Sequence, residues 1–185
     1  MGASRIAGTP RLSAKLRVLV TGATGFVGRA LVPLLHGEGH SVVAWVRSEV
    51  TARGLLGADV EMVSISAGFD ALATEIERSD AVVDLAGAPI LGGRWTAARR
   101  AVLEDSRVGL TSDLVRAMAA AKTRPATLVS AGAVGYYGDR ADEPLTETSR
   151  AAADFLGRLS QRWEQAAQQA EALGVRVVCL RTGVV

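Results

Sequence analysis

The fold is decided by the stretch Val18-Leu-Val-Thr-Gly22-Ala-Thr-Gly25-Phe-Val-Gly28, which leads into Arg-Ala-Leu-Val-Pro-Leu-Leu35. An apolar strand is followed by a turn with three glycines and then by a helix. Gly22 lets the chain turn sharply, Gly25 lets backbone N–H groups approach a pyrophosphate, and Gly28 lets the helix pack closely on a sheet. The positive end of the helix then faces the phosphates, so the stretch predicts a dinucleotide-binding loop.

The flanking sequence completes a βαβ unit. The helix carries apolar residues at i, i+3, i+4, i+7 and i+8, which predicts one stripe facing the sheet: Val27, Ala30, Leu31, Leu34 and Leu35. After His40, the run Val42–Val46 is typical of a second buried strand. The alternative interpretation is an ordinary βα turn without a ligand.

Length, composition and charge limit the kinds of protein that this chain can be. The chain has 185 residues, is 49% hydrophobic and carries a net charge of +2, with basic and acidic residues interspersed. This predicts one domain over residues 16–185 and no nucleic-acid or membrane surface, since no apolar run reaches the length of a bilayer span. Residues 1–15 are basic and predict a disordered tail, with a transit peptide as the alternative. A single cysteine, Cys179 in an apolar run, indicates a cytoplasmic protein.

Strand-like and helical segments alternate along the whole chain. The predicted strands are Leu16–Thr21, Val42–Arg47, Val60–Val63, Ala81–Leu85, Thr127–Ser130 and Val175–Arg181. This alternation predicts an α/β fold with a doubly wound parallel sheet. Long helices are expected over 95–122, with a break near Asp105, and over 152–173, ending at Gly174 and burying Trp163.

Four further segments carry a family resemblance: Asp84-Leu-Ala-Gly87-Ala-Pro-Ile, Ser106-Arg107-Val-Gly-Leu-Thr111, Ala133-Val-Gly-Tyr136-Tyr137-Gly138-Asp139 and Arg181-Thr-Gly-Val-Val185. With Trp163-Glu164 they resemble the extended short-chain dehydrogenase/reductases, in the epimerase-like branch of NAD(P)-dependent epimerase/dehydratase proteins. The resemblance implies a Rossmann fold, a dinucleotide cofactor, a small-molecule substrate of unknown identity, and a homodimer formed through the two long helices.

The resemblance and the glycine turn together give a set of cofactor-binding residues. Leu85, Ala86 and Gly87 are expected on the adenosine side, Arg107 is expected to reach the cofactor, and Val185 is expected near the nicotinamide. The complete expected set is Gly22, Thr24, Gly25, Phe26, Val27, Gly28, Val46, Arg47, Ser48, Leu85, Ala86, Gly87, Arg107, Ser130 and Val185.

The end of the second strand predicts which cofactor binds. NAD-preferring folds place a carboxylate there for the ribose 2′-OH, and that carboxylate would repel a 2′-phosphate. Here the position is Val46, followed by Arg47 and by Ser48, a further hydroxyl donor. A guanidinium suits a phosphate, so NADP is predicted over NAD. The alternative is that Arg47 only covers the strand end.

The usual proton-transfer apparatus of these enzymes, a Tyr with a Lys four residues later, is missing. The only tyrosines are Tyr136 and Tyr137, and Arg140 and Ala141 stand four residues after them. These tyrosines are therefore the catalytic candidates, although an unperturbed tyrosine is a poor base at neutral pH. The expected Ser is replaced by Gly132, and Ser130 nearby is predicted at a strand end.

The sequence therefore predicts an NADP-binding domain of an epimerase- or reductase-like protein whose C-terminal substrate region is missing after Val185. The alternative is a noncatalytic nucleotide-binding or scaffold module. No metal site is expected, because His36 and His40 straddle a glycine turn and have no clustered ligands around them.

Overall fold

A computed structural model describes residues 14–91 and 93–183. The six strands are β1 (Arg17–Thr21), β2 (Ser41–Val46), β3 (Glu61–Ser64), β4 (Ala81–Asp84), β5 (Thr127–Ala133) and β6 (Arg176–Thr182). The α-helices are α1 (Phe26–Gly37), α2 (Glu49–Leu56), α3 (Gly68–Glu77), α4 (Ala97–Glu104), α5 (Leu110–Ala120) and α6 (Phe155–Gln168).

The strands form one parallel sheet in the order β3-β2-β1-β4-β5-β6. The chain moves outward from β1 in one direction and then returns to add β4, β5 and β6 on the other side. The strand order therefore reverses between β1 and β4, and ligands of such sheets bind at the carboxyl ends of the strands at this point. The predicted doubly wound α/β fold is confirmed.

Alternating side chains of the strands build a core on each face of the sheet. Leu19, Val43, Val82 and Leu128 face α3, α5 and α6 in one cluster. Val18 and Val20 point to the opposite face, where Val32 of α1 packs with them. Strands that are buried on both faces consist of nearly continuous apolar residues, which is why the sequence pattern located them within one or two residues at most ends.

The predicted apolar stripe of α1 is wrong at Val27, Ala30 and Leu34, although Leu31 and Leu35 are half-buried. The buried residues of this helix are Gly28 and Val32, with Leu35 packed beside them, whereas Ala30 is exposed, Val27 is 42% exposed and Leu34 is 67% exposed. The cause is Gly28, at which a Cβ would lie 2.5 Å from the carbonyl oxygens of Gly22 and Ala23. This close approach sets the rotation of the helix, so the apolar pattern alone does not determine which face is buried.

The two long helical regions have the predicted extent with local changes of geometry. A π-helical turn, Asp105–Gly109, joins α4 to α5 at the predicted break. A 3-10 turn, Gln169–Leu173, continues α6 up to Gly174, which has a positive φ of 81°. Trp163 is buried, as predicted.

The predicted basic tail lies almost entirely outside the described residues, as does Val185. In the part of the chain that is described, we find no helix long and apolar enough to cross a bilayer.

Candidate functional site

The glycine turn lies at the carboxyl end of β1, where the strand order reverses. Gly22 has a positive φ of 64°, and a Cβ there would lie 2.6 Å from the backbone carbonyl of Leu85. Both observations require glycine at this position, which agrees with the sharp turn predicted after the strand. The third glycine, Gly28, fits closely against the turn itself rather than against the sheet.

The amino end of α1 is open to a ligand. Gly25 is its N-cap and supplies no side chain, and the first turn has no acidic residue. The first backbone hydrogen bond of the helix is donated by Arg29 N–H to Gly25 O. The backbone amides before Arg29 at the start of the helix therefore have no hydrogen-bond acceptor within it. A Cβ at Gly25 would meet only Gly22 O, at 3.1 Å, and otherwise open space. The open space above Gly25, which a Cβ would fill, can therefore accommodate a pyrophosphate.

The residues at the end of β2 include a cationic side chain, that of Arg47, and no carboxylate. Val46 is buried, and Arg47 is exposed and forms no ion pair with the described residues. Ser48 is the N-cap of α2, and its hydroxyl accepts a hydrogen bond from Thr51 N–H. The hydroxyl hydrogen of Ser48 remains able to donate to a ligand.

The loop after β4 faces the glycine turn. Leu85 N–H donates to Thr21 O, and Ala86 N–H donates to the Thr21 hydroxyl at 3.2 Å. The exposed Gly87 lies under a guanidinium, since a Cβ there would be 3.0 Å from Cζ of Arg107. The geometry thus brings Leu85, Ala86, Gly87 and Arg107 together beside the turn.

Arg107 is a half-buried cation without a carboxylate partner among the described residues. Its guanidinium donates to the carbonyl oxygens of Leu103 and Ala88, and it stacks on the ring of Trp163 at 5.4 Å. Burial lowers the pKa of this guanidinium, and repulsion from Arg99 contributes in the same direction. A positive charge in this environment favours an anionic ligand nearby.

A buried polar network beneath the site was not predicted. The carboxylate of Asp84 accepts hydrogen bonds from the hydroxyls of Thr21, at 2.5 Å, and Thr111, at 2.6 Å. Thr111 in turn accepts from Trp163 Nε1–H at 2.9 Å. Burial raises the pKa of Asp84, while the hydrogen bonds from the two threonines oppose that rise. The signal that was overlooked is a carboxylate at the end of a strand whose other residues are apolar.

The structure distinguishes the two tyrosines, which follow β5. Tyr137 is buried, and its hydroxyl accepts a hydrogen bond from Arg181 Nη1 at 2.7 Å. Tyr136 is half-buried, and its hydroxyl makes no hydrogen bond with the described residues, while the Arg181 guanidinium covers its ring at 3.7 Å. Arg181 also forms a two-pronged ion pair with the buried Glu164, at 2.7 and 2.8 Å.

Ser130 does not lie at a strand end. Strand β5 continues for three more residues to Ala133, and Ser130 is fully buried opposite Asp84 of β4. Its hydroxyl donates to the backbone oxygen of Ala131. The prediction failed because the small residues after Ser130 resemble a loop, although pairing with β6 keeps them extended.

The two lysines of the chain lie far from the site, and His40 is already hydrogen-bonded. Lys15 precedes β1 and Lys122 follows α5, so both lie at the amino-end edge of the sheet. His40 Nδ1 accepts a hydrogen bond from Leu16 N–H at 3.1 Å. In residues 14–91 and 93–183, no three His, Cys, Asp or Glu side chains cluster in a way that could hold a metal ion.

Comparison with known proteins agrees with this geometry. The sequence profile of the NAD dependent epimerase/dehydratase family matches residues 18–184. An epimerase family protein from Mycobacterium bovis is 39% identical over 91% of this chain and 53% of its own length. A chloroplastic SDR39U1 homologue from Arabidopsis thaliana is 36% identical over 92% of this chain and 49% of its own length.

A solved structure shows the same fold with a cofactor. Human epimerase family protein SDR39U1, crystallised with NADPH, is 32% identical and superposes with a TM-score of 0.73, over 89% of this chain and 52% of the human chain. The present chain thus spans about half the length of the relatives it matches. It belongs to the NAD dependent epimerase/dehydratase family and comprises that family's NAD(P)-binding Rossmann domain.

Proposed function

We propose that the chain binds NADP(H) at the point where the strand order reverses, as the cofactor domain of an NADP-dependent oxidoreductase or epimerase. The observation that carries the proposal is the open amino end of α1 beside Gly25. Backbone amides at the start of α1, those of Phe26 and Val27 among them, would hold the pyrophosphate, with Thr24 at the same turn.

Two arginines support an anionic ligand on either side of this turn. Arg47 is exposed after β2 and would hold the 2′-phosphate of NADP, with Ser48 as an additional donor. Arg107 lies over Gly87 on the other side, where its half-buried positive charge has no carboxylate partner in the described chain. The human relative that was crystallised with NADPH supports a dinucleotide cofactor at this fold.

A calorimetric titration with NADPH tests the glycine turn. Gly25→Val fills the cradle with a branched side chain that meets only Gly22 O in the protein, so NADPH binding should be lost while the circular dichroism spectrum stays nearly unchanged. The matched control is Gly37→Ala in the same helix, where a Cβ meets nothing within 4 Å and NADPH should bind as before. If Gly25→Val retains its affinity, the turn has only a structural role.

For catalysis by this domain together with a substrate region like that of its relatives, we propose Tyr136 rather than Tyr137 as the proton donor. The Tyr137 hydroxyl accepts a hydrogen bond from Arg181, whereas the Tyr136 hydroxyl has no hydrogen-bond partner among the described residues. A protein extended beyond this chain should lose turnover with Tyr136→Phe at unchanged stability. Tyr137→Phe should instead lower stability, and the reverse pattern would contradict the assignment.

We also propose a homodimer that forms through the two predicted helical regions. The apolar stripes of α5 and α6 are largely buried in the core, as Leu114, Met118 and Trp163 show. What remains between these helices is a groove of about 260 Å³ lined by Val115, Ala119, Ala166 and Leu173 along with polar residues. Light scattering at tens of micromolar should give twice the chain mass of 19.2 kDa, and a monomer would refute the dimer.

A further inference from the structure

A groove of about 610 Å³ lies beside Tyr136, separate from the glycine turn. One wall is formed by residues 147–153, and the other by Arg158 and Gln161 of α6. Tyr136 lies three residues after the end of β5 at Ala133, so the groove opens at the carboxyl-end edge of the sheet. This is the edge at which parallel α/β sheets bind their ligands.

The wall around Ala152 is held in place by close packing. Ala152 N–H donates to Tyr136 O at 2.7 Å. A Cβ at Gly138 would lie 2.6 Å from Cβ of Ala152, and a Cβ at Gly157 would lie 2.4 Å from its carbonyl oxygen. Gly138 also has a positive φ of 69°, so glycine is needed there for two reasons. The groove is therefore formed before any ligand arrives, which reduces the entropy lost on binding.

The groove contains two cations, Arg150 and Arg158, for which the described part of the chain offers no carboxylate partner. Arg150 forms no hydrogen bond or ion pair through its side chain with the described residues, and the Arg158 side chain donates to the carbonyl of Ala153. Some other surface arginines are neutralised by a carboxylate, since Arg140 pairs with Glu143 and Arg162 pairs with Glu104.

The other polar groups of the groove leave this positive charge in excess. The groove's lining residues include one carboxylate, that of Glu147, and two guanidinium groups, those of Arg150 and Arg158. Tyr136 supplies a hydroxyl without a hydrogen-bond partner in the described chain, and Gln161 supplies an amide. Two guanidinium groups with neutral donors beside them match a phosphate or a carboxylate.

From this geometry we infer that the groove binds the anionic group of a polar small molecule, a phosphate or a carboxylate, through Arg150 and Arg158. The inference rests on the proposed function in that this molecule is the substrate, placed next to Tyr136. Substrates that carry such a group are then selected over neutral ones by charge, and the preference weakens as salt screens the two arginines.

Titrations followed by nitrogen–proton correlation NMR on the complete chain test this inference. The probes are glucose 6-phosphate, glucuronate and glucose, which share a sugar ring and differ in charge. The two anions should shift amides of residues 147–153 and of Arg158 and Gln161, while glucose should not. Whichever anion binds more tightly identifies the preferred group. Equal shifts with glucose, or shifts spread over the whole surface, would overturn the inference.

Variants test the two arginines directly. Arg150→Ala and Arg158→Ala should each weaken anion binding about twofold to fivefold, since ion pairs at exposed sites are modest, and the double variant about tenfold. The matched control is Arg53→Ala with Arg176→Ala, which removes the same charge from α2 and from the amino end of β6. Unchanged affinity in the groove variant, or an equal loss in the control, would contradict the inference.

Tyr136→Phe provides a second measurement that removes one hydroxyl and keeps both charges. Anion binding should weaken, and unchanged binding would exclude the hydroxyl from the site. Each variant is also titrated with NADPH. If NADPH binds and the anions do not, only the groove inference fails. If the anions bind and NADPH does not, the cofactor proposal fails and the groove stands as an anion site alone.

Discussion

The carboxylate of Asp84 on β4 accepts a 2.6 Å hydrogen bond from the hydroxyl of Thr111 on α5. On its other side, Asp84 accepts from Thr21, whose oxygen receives the N–H of Ala86. Trp163 on α6 completes the chain by donating to Thr111. The packing of α5 and α6 is thereby connected to the loop that faces the glycine turn.

Removing the Thr111 hydroxyl should destabilise the fold. Thr111→Val keeps the shape of the side chain, yet it leaves Trp163 Nε1–H without an acceptor and Asp84 with one donor fewer. We expect a loss of about 1–3 kcal/mol in the free energy of unfolding, measured with urea, because buried polar groups are costly to leave unpaired.

The adjacent Ser112 provides the control for this substitution. Ser112 is exposed, and its hydroxyl donates to Val108 O in the preceding π-helical turn. Ser112→Ala should change the free energy of unfolding by less than about 0.5 kcal/mol. Equal effects of the two substitutions would mean that the Asp84 network does not contribute to stability.

The ion pair between Glu164 and Arg181 should be worth more than the exposed pair between Glu104 and Arg162. The Glu164 side chain is only 6% exposed, and Arg181 also bonds to the Tyr137 hydroxyl and to Glu147 O. Glu164→Gln would leave a largely buried guanidinium without its counter-ion, and we expect it to lower the free energy of unfolding by about 3 kcal/mol. Glu104→Gln breaks the exposed pair with Arg162 and should cost less than about 1 kcal/mol. A Glu164→Gln loss as small as that of Glu104→Gln would contradict this ranking.

Cys179 should react slowly with iodoacetamide in the folded protein. Burial raises the pKa of this thiol to about 11, and the Glu164 carboxylate adds to the rise. Because only the thiolate reacts, a higher pKa means less reactive thiol at a given pH, so labelling at pH 8 should be roughly a hundredfold slower than in urea. The folded rate should increase with pH until about pH 11. Equal rates in folded and unfolded protein at pH 8 would refute the burial argument.

Local patterns in the sequence predicted the individual strands and the glycine turn because each of them depends on nearby residues. The apolar strand before Gly22 and the helix after it lie within one short segment. The burial of α1 was partly mispredicted because Val27, Ala30 and Leu34 satisfy the apolar periodicity while the contact at Gly28 determines the rotation.

The polar connections could not be found in this way. Thr21, Asp84, Thr111 and Trp163 are far apart in the chain, and only the finished topology brings them together. The same holds for Arg181 and Glu164, and therefore for the difference between Tyr136 and Tyr137. Periodicity describes which face of an element is buried, but it does not identify partners across elements.

The central claim, that the chain binds NADP through Arg47 and the glycine turn, is tested most directly by calorimetric titration with NADPH and NADH, on the unmodified chain and on Arg47→Asp. Arg47 is exposed and has no carboxylate partner among the described residues, so the substitution should leave the fold intact. We predict that NADPH binds about tenfold more tightly than NADH to the unmodified chain, and that Arg47→Asp reverses the order, since a carboxylate accepts from the ribose hydroxyl and repels the 2′-phosphate. Equal affinities in the unmodified chain, or an order unchanged by Arg47→Asp, would contradict the claim.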